Sequence, residues 1–211
     1  MEQKDRDEYL ISHSSVEDPL LAQLNRQTFL KMINPKMISG HYQGKFLEML
    51  SFMLRPRQIL EIGTFTGYSA ICLARGLSEH GKLHTIDKND EVRAFASAWI
   101  TRAGLEKKIV LHTGDALDII PSLPGPFDLV FIDGEKTEYK EYYLLSLPRV
   151  RKGGYLLADN VLWNGKVYRP EFRNDQSTKM MIAFNKMITE DERVENIMVP
   201  VRDGLMIMRK K

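Results

Sequence analysis

Between Gln58 and Asn160, short apolar runs alternate with stretches of helical pattern, and this alternation constrains the fold more than any other feature of the chain. Strand-like runs occupy residues 58–62, 83–87, 109–113, 127–132 and 154–158. The intervals between them read as helices at 66–78 and 89–103, a short piece near Leu117, and a helix at 137–150. Strands separated by helices pair in parallel through right-handed crossovers, which places helices on both faces of the sheet. Gly81, Gly104 and Gly153 mark the stops and turns between elements. The expected fold is α/β and doubly wound, Rossmann-like, with a switch point at the first strand where ligands bind.

After Asn160 the alternation breaks. Residues 161–170 read as an ordered loop and 176–189 as a helix, and the runs 194–201 and 204–209 read as an antiparallel hairpin joined by Arg202 and Asp203. Five parallel strands with a terminal hairpin make a seven-stranded sheet of the methyltransferase kind rather than an ordinary dinucleotide fold. The first 55 residues read as a helical preface. In it Asp18 caps a helix with Pro19 in its first turn, Leu20, Leu21 and Leu24 give that helix an apolar face, and a second helix begins near Tyr42.

At 211 residues, 43% hydrophobic and 27% charged, the chain fits one domain spanning 1–211 around a single core. A net charge of +2 is too mild to announce a nucleic-acid binder. Residues 1–8 are polar, and no uninterrupted apolar stretch approaches the roughly 18 residues of a membrane span. Neither a signal peptide nor a membrane span is expected, and the cytoplasm is the expected location. The single cysteine, Cys72, excludes an intrachain disulfide and reads as a small buried side chain on a helix. His13, His41, His80, His84 and His112 show no zinc-type spacing.

The chemistry-bearing residues sit at strand ends. Gly63 to Gly67 form a glycine loop after the first strand, although the G-x-G-x-x-G dinucleotide fingerprint is absent. Asp87 closes the second strand, where a carboxylate either accepts hydrogen bonds from both hydroxyls of a ribose or forms a turn. Asp115, after the third strand, either accepts from the amine of an adenine or caps a helix. Asp133 ends the fourth run, and Asp159 and Asn160 end the fifth. If those strands lie side by side, two carboxylates and one amide oxygen meet at one sheet edge and cradle a hard divalent cation. Lys136, three residues after Asp133, reads on its own as a solvated lysine at a helix start. Trp163 reads either as core or as an aromatic wall beside the acidic residues.

Three segments, 60–69, 131–136 and 157–165, occur in order and together resemble the cation-dependent, S-adenosylmethionine-using O-methyltransferases, the group of catechol and caffeoyl-CoA O-methyltransferases. The resemblance runs from about Met37 onward, and a bacterial member of the group is the expectation. It implies Asp133, Asp159 and Asn160 as metal ligands, with Asp133 also touching the cofactor. Glu61, Gly63, Tyr68 and Ser69 would form the pocket for the methionine end, with Asp87 at the ribose and Asp115 near the adenine. Met37 and the residues after it to 40 would cover cofactor and substrate. Lys136 would be the general base, its ammonium disfavoured beside a dication, and Trp163 a wall for a flat substrate. The plant caffeoyl-CoA enzymes read Asp-Ala-Asp-Lys where this chain has Asp133, Gly134, Glu135 and Lys136, so their substrate specificity does not transfer.

The resemblance implies metal-dependent methyl transfer from S-adenosylmethionine to a hydroxyl of a catechol-type small molecule. Magnesium is the first choice of cation and calcium or manganese the alternatives. A hydroxyuridine of transfer RNA is the alternative acceptor, and a homodimer is the expected assembly. A non-catalytic nucleotide-binding module would not need Asp133, Lys136, Asp159 and Asn160 together. An NAD oxidoreductase would show the missing glycine fingerprint.

Overall fold

The computed structural model describes residues 2–211, and Met1, at the head of the polar segment read at 1–8, lies outside the described residues. The apolar run at Gln58 becomes the middle one of the five parallel strands. Strands β1 (Gln58–Ile62), β2 (Lys82–Asp87), β3 (Ile109–Thr113), β4 (Phe127–Ile132) and β5 (Val150–Asp159) are parallel and lie in the order β3-β2-β1-β4-β5. The order reverses between β1 and β4, so the crevice opens at the carboxyl ends of those two strands.

Two further strands complete a seven-stranded sheet: β6 (Val194–Val199) and β7 (Leu205–Lys210) are antiparallel to each other, and β7 also pairs antiparallel with β5. Their connection is not the two-residue turn expected at Arg202 and Asp203. It spans residues 200–204, with Val201 buried and Arg202 left-handed at φ 49°. The loop packs against residues 161–164, with Val161 and Leu162 donating their backbone N–H groups to the carbonyls of Gly204 and Asp203, and a tight turn could not reach them.

The fifth strand starts four residues earlier than its apolar run, at Val150. Gly153, expected as a stop, sits inside it at φ 74° and forms a bulge with Gly154, so the register with β4 jumps from Phe127–Val150 to Leu129–Tyr155. The preceding helix is correspondingly shorter than the expected 137–150.

The helices are α1 (Glu2–Ser12), α2 (Pro19–Lys31), α3 (Gly40–Leu54), α4 (Tyr68–Arg75), α5 (Arg93–Arg102), α6 (Ala116–Ile119), α7 (Tyr139–Ser146) and α8 (Gln176–Glu190). Asp18 caps α2 as expected, accepting from Leu20 N at 2.9 Å and Leu21 N at 3.2 Å. α4 begins two residues after the expected Thr66 because Gly67, left-handed at φ 85°, occupies its cap.

Alternation along each strand builds one apolar cluster on each face of the sheet. Leu60 and Ile62 of β1 pack with Val130, Ile132, Tyr139 and Phe184 on the face of α7 and α8. Ile59, Leu129, Phe131 and Leu157 face the other way and pack with α2, α3 and α4. Cys72 is fully buried in α4 as expected, and burial pushes its thiol well above the usual range. Among the described residues no helix is long and apolar enough to cross a membrane.

The contact on which the crevice depends is that between Gly63 and the end of β4. Gly63 sits at φ 103°, and a Cβ on it would lie 2.2 Å from the carbonyl oxygen of Asp133. Gly63→Ala should therefore force β1 and β4 apart and cost about 3 kcal/mol or more, read from urea unfolding midpoints. A variant as stable as the parent would show that these strand ends tolerate separation.

Candidate active site

The carboxyl ends of the parallel strands open into one cavity of about 940 Å³. Its floor is built from strand-end residues, so each side chain is placed by strand register rather than by a mobile loop.

On one side stands Asp87, the last residue of β2. Its Oδ2 accepts from Phe65 N at 2.7 Å and its Oδ1 from Asn89 N at 3.0 Å. The carboxylate thus pins the glycine loop, where Phe65 is left-handed at φ 44°, while lone pairs on both oxygens remain for incoming hydroxyls. Asp115 caps α6 by accepting from Leu117 N at 2.8 Å and also lines the cavity.

Met37, Gly63, Tyr68, Ser69 and Asp133 line the cavity too, whereas Glu61 is fully buried behind its wall. Thr85 Oγ1 donates to Glu61 Oε2 at 2.5 Å and bonds Thr64 Oγ1 at 2.6 Å. Burial pushes the Glu61 carboxyl up to about 8; the hydroxyls of Ser69 and Thr85 oppose that rise, and the charges of Asp133 and Asp87 add to it. Tyr68 lines the cavity, but its hydroxyl donates to Glu17 Oε1 at 2.6 Å, outside the lining.

The acidic corner lies on the other side. β4 and β5 pair Ile132 with Ala158, so Asp133 and Asp159 are the next residues along neighbouring strands. Lys136, on a 3-10 turn at Lys136–Glu138, donates from Nζ to Asp133 Oδ1 at 2.8 Å and to the Tyr139 hydroxyl at 2.5 Å. That hydroxyl in turn donates to Asp159 O at 3.0 Å and, more weakly, to Ile132 O at 3.3 Å. Asp159 Oδ1 accepts from Asn160 N at 2.8 Å, and Asn160 sits at φ 57°, a left-handed conformation that asparagine tolerates.

Asp159 is 2% exposed, and its carboxyl is pushed up by burial and then by the charge of Asp133, with Gln43 and Lys136 acting in the opposite direction. Two acids and one ammonium in a buried corner leave negative charge that a further cation would offset. The described residues contain no group of three His, Cys, Asp or Glu side chains able to hold a metal; beside Asp133 and Asp159, Asn160 lines the same cavity and could add an amide oxygen. Three oxygen donors suit a hard dication.

The O-methyltransferase family model matches residues 11–211. The chain belongs to that family. It is 37% identical over 183 residues to a catechol O-methyltransferase from Niastella koreensis, covering 85% of this chain and 81% of that protein. It is 33% identical over 185 residues to caffeoyl-CoA O-methyltransferase 2 of Populus trichocarpa, covering 82% and 75%. Among solved structures, the O-methyltransferase TomG from Streptomyces achromogenes, in complex with SAM, superposes with a TM-score of 0.89 at 33% identity, covering 100% of this chain and 99% of that one. The O-methyltransferase from Bacillus cereus in complex with SAH gives 0.89 at 30% identity, covering 98% and 97%.

In this O-methyltransferase Trp163, left-handed at φ 51°, lines the cavity and packs against the apolar cluster around Tyr139. The histidines stay outside the cavity, and His84 and His112 pair across β2 and β3 with ring nitrogens 3.0 Å apart. Three participants escaped the sequence reading. Tyr139 had a visible signal, its spacing of three from Lys136. Gln43, beside Asp159, and Arg202, on the cavity rim, had none, because each meets its partners across more than a hundred residues.

The Glu61 shift has a definite sign. The folded carboxyl keeps its proton up to about pH 8, against an ordinary value of 4.5. Its contribution to stability is therefore full below pH 4.5 and declines as pH rises to 8. Glu61→Gln cannot ionise, so in ligand-free protein it should gain stability relative to the parent across that window, measured by urea unfolding at several pH values. A parent-to-variant difference independent of pH would mean that Glu61 is ionised in the folded protein.

Proposed function

We propose that this chain transfers the methyl group of S-adenosylmethionine to a hydroxyl of a catechol-type small molecule, with a divalent cation, magnesium first, held by Asp133, Asp159 and Asn160. One observation carries the reading: a single cavity contains both the nucleoside-type acceptors Asp87 and Asp115 and the Asp133–Lys136–Asp159 corner. Structural neighbours that hold SAM and SAH in the same fold, and relatives named for catechol and caffeoyl-CoA, support it.

When bound, the cofactor supplies an electrophilic methyl and the cation acidifies and orients the acceptor hydroxyl. The protein supplies placement and a proton acceptor. Asp87 takes the ribose hydroxyls, Ser69 and Gly63 border the methionine end, and Met37 with the residues after it closes over both reactants. Lys136, held by Asp133 and Tyr139, removes the acceptor's proton once its own ammonium has lost one. Trp163 gives a flat acceptor a surface to stack on, and no covalent enzyme intermediate is needed.

Phe29 and Leu30 on α2, with Phe52 and Met53 on α3, are exposed apolar side chains that support a homodimer. The buried free thiol of Cys72 is in keeping with the reducing cytoplasm.

Two experiments test this reading. In methyl-transfer assays with magnesium, a catechol panel should turn over, chelator should abolish turnover, and added magnesium should restore it. Full activity after exhaustive chelation would remove the metal from the reaction. Turnover confined to hydroxyuridine-containing transfer RNA, with steep salt dependence, would move the acceptor to RNA. Separately, Lys136→Ala should lower kcat by about 100-fold to 10,000-fold while cofactor affinity measured by calorimetry stays within a few fold. Parent-rate turnover by that variant would leave Lys136 a structural lysine.

A further inference from the structure

We propose that Arg202 is a positioning residue which, with its neighbour Asp203, sets the two walls of the reaction cavity relative to each other. The proposal rests on reading this cavity as the cofactor and acceptor site.

The first wall is the segment between α2 and α3. Residues 33–39 line the cavity, yet little packing holds them: Ile33 is 94% exposed and Met37 60% exposed. The backbone bonds within the segment, Met37 N to Asn34 O and Ile38 N to Pro35 O, are local turns. Its anchor is at its end, where Ile38 is buried. There Arg202 Nη1 donates to Ile38 O at 3.0 Å, to Ser39 O at 2.6 Å and to Gln43 Oε1 at 2.8 Å. Three acceptors converge on one nitrogen that carries two protons, and they fix the point where the segment enters α3. Ser39, in the cap position of α3, makes no capping hydrogen bond with its own side chain, so Arg202 is what ties this junction to the sheet.

The second wall is the loop that carries Trp163. Asp203 Oδ1 accepts from Asn164 N at 2.6 Å, and the Asp203 carbonyl accepts from Leu162 N at 2.9 Å. Two consecutive residues of the β6–β7 loop therefore reach in opposite directions, one to each wall, and both line the cavity. Arg202 is itself an exposed residue, so its bonds are screened and contribute more to placement than to global stability. Its left-handed φ of 49° also makes glycine a clean replacement, since glycine removes the guanidinium and relaxes the backbone together.

The test compares the parent, Arg202→Gly and Arg202→Lys by calorimetry with S-adenosylhomocysteine and by amide hydrogen exchange over residues 33–40. Losing a charged donor to the cover should weaken binding about tenfold or more in Arg202→Gly. Exchange over 33–40 should quicken, and the melting temperature of the ligand-free protein should stay within about 2 °C of the parent's. Arg202→Lys, which keeps a cationic donor, should recover part of the lost affinity. Unchanged affinity and exchange in Arg202→Gly would overturn the proposal, as would a lowered melting temperature with unchanged affinity. Should the glycine variant fold poorly, Arg202→Met decides on the same criteria. A parent that does not bind S-adenosylhomocysteine at all would instead overturn the reading of the cavity on which the proposal rests.

Discussion

Parallel pairing of β4 with β5 forces two carboxylates, Asp133 and Asp159, to the same end of neighbouring strands, and much of the surrounding structure serves to make that tolerable. Like charges in a buried corner repel, and the register of the sheet does not let them separate. The Lys136 ammonium sits against one acid, the backbone N–H of Asn160 meets the other, and the Tyr139 hydroxyl ties the lysine to the carbonyl of Asp159. Tyr139 is 1% exposed and wedged edge-on against Phe184, so this link is rigid because the apolar cluster beneath it is packed. The polar corner thus inherits its geometry from the hydrophobic face of the sheet.

The same economy of placement appears at Asp87. In the proposed reading this carboxylate would meet a ribose, and it also holds the N–H of Phe65 and so shapes the glycine loop that borders the cavity. Asp115 has the same double attachment, to the start of α6 and to the cavity.

What was legible in the chain followed from periodicity and strand ends. Apolar runs bounded by turn residues identified the five parallel strands, and parallel pairing then brought Asp87, Asp115, Asp133, Asp159 and Asn160 to one edge, because a strand's carboxyl end is a place that sequence can name. Features arising from contacts between distant segments were not legible. Gly153 looks like a stop, and only pairing with β4 turns it and Gly154 into a bulge inside a strand. Arg202 and Asp203 look like a turn, and only the nearness of residues 161–164 and of the start of α3 opens them into a longer loop. The resemblance implies Glu61 in the pocket for the methionine end, whereas its carboxyl accepts from Thr85 behind the cavity wall.

The position of β7 between β5 and β6 bears on how the protein is made. During vectorial synthesis β5 leaves the ribosome well before residues 205–210, and until those residues arrive it is an edge strand presenting Leu156, Leu157 and Ala158 beside unpaired backbone groups. The acidic corner at the tip of β5 is therefore among the last parts of the molecule to be enclosed. A nascent chain that stalls within the β6–β7 region would carry an open, apolar sheet edge, the kind of surface that holding chaperones bind and that seeds aggregation between incomplete chains.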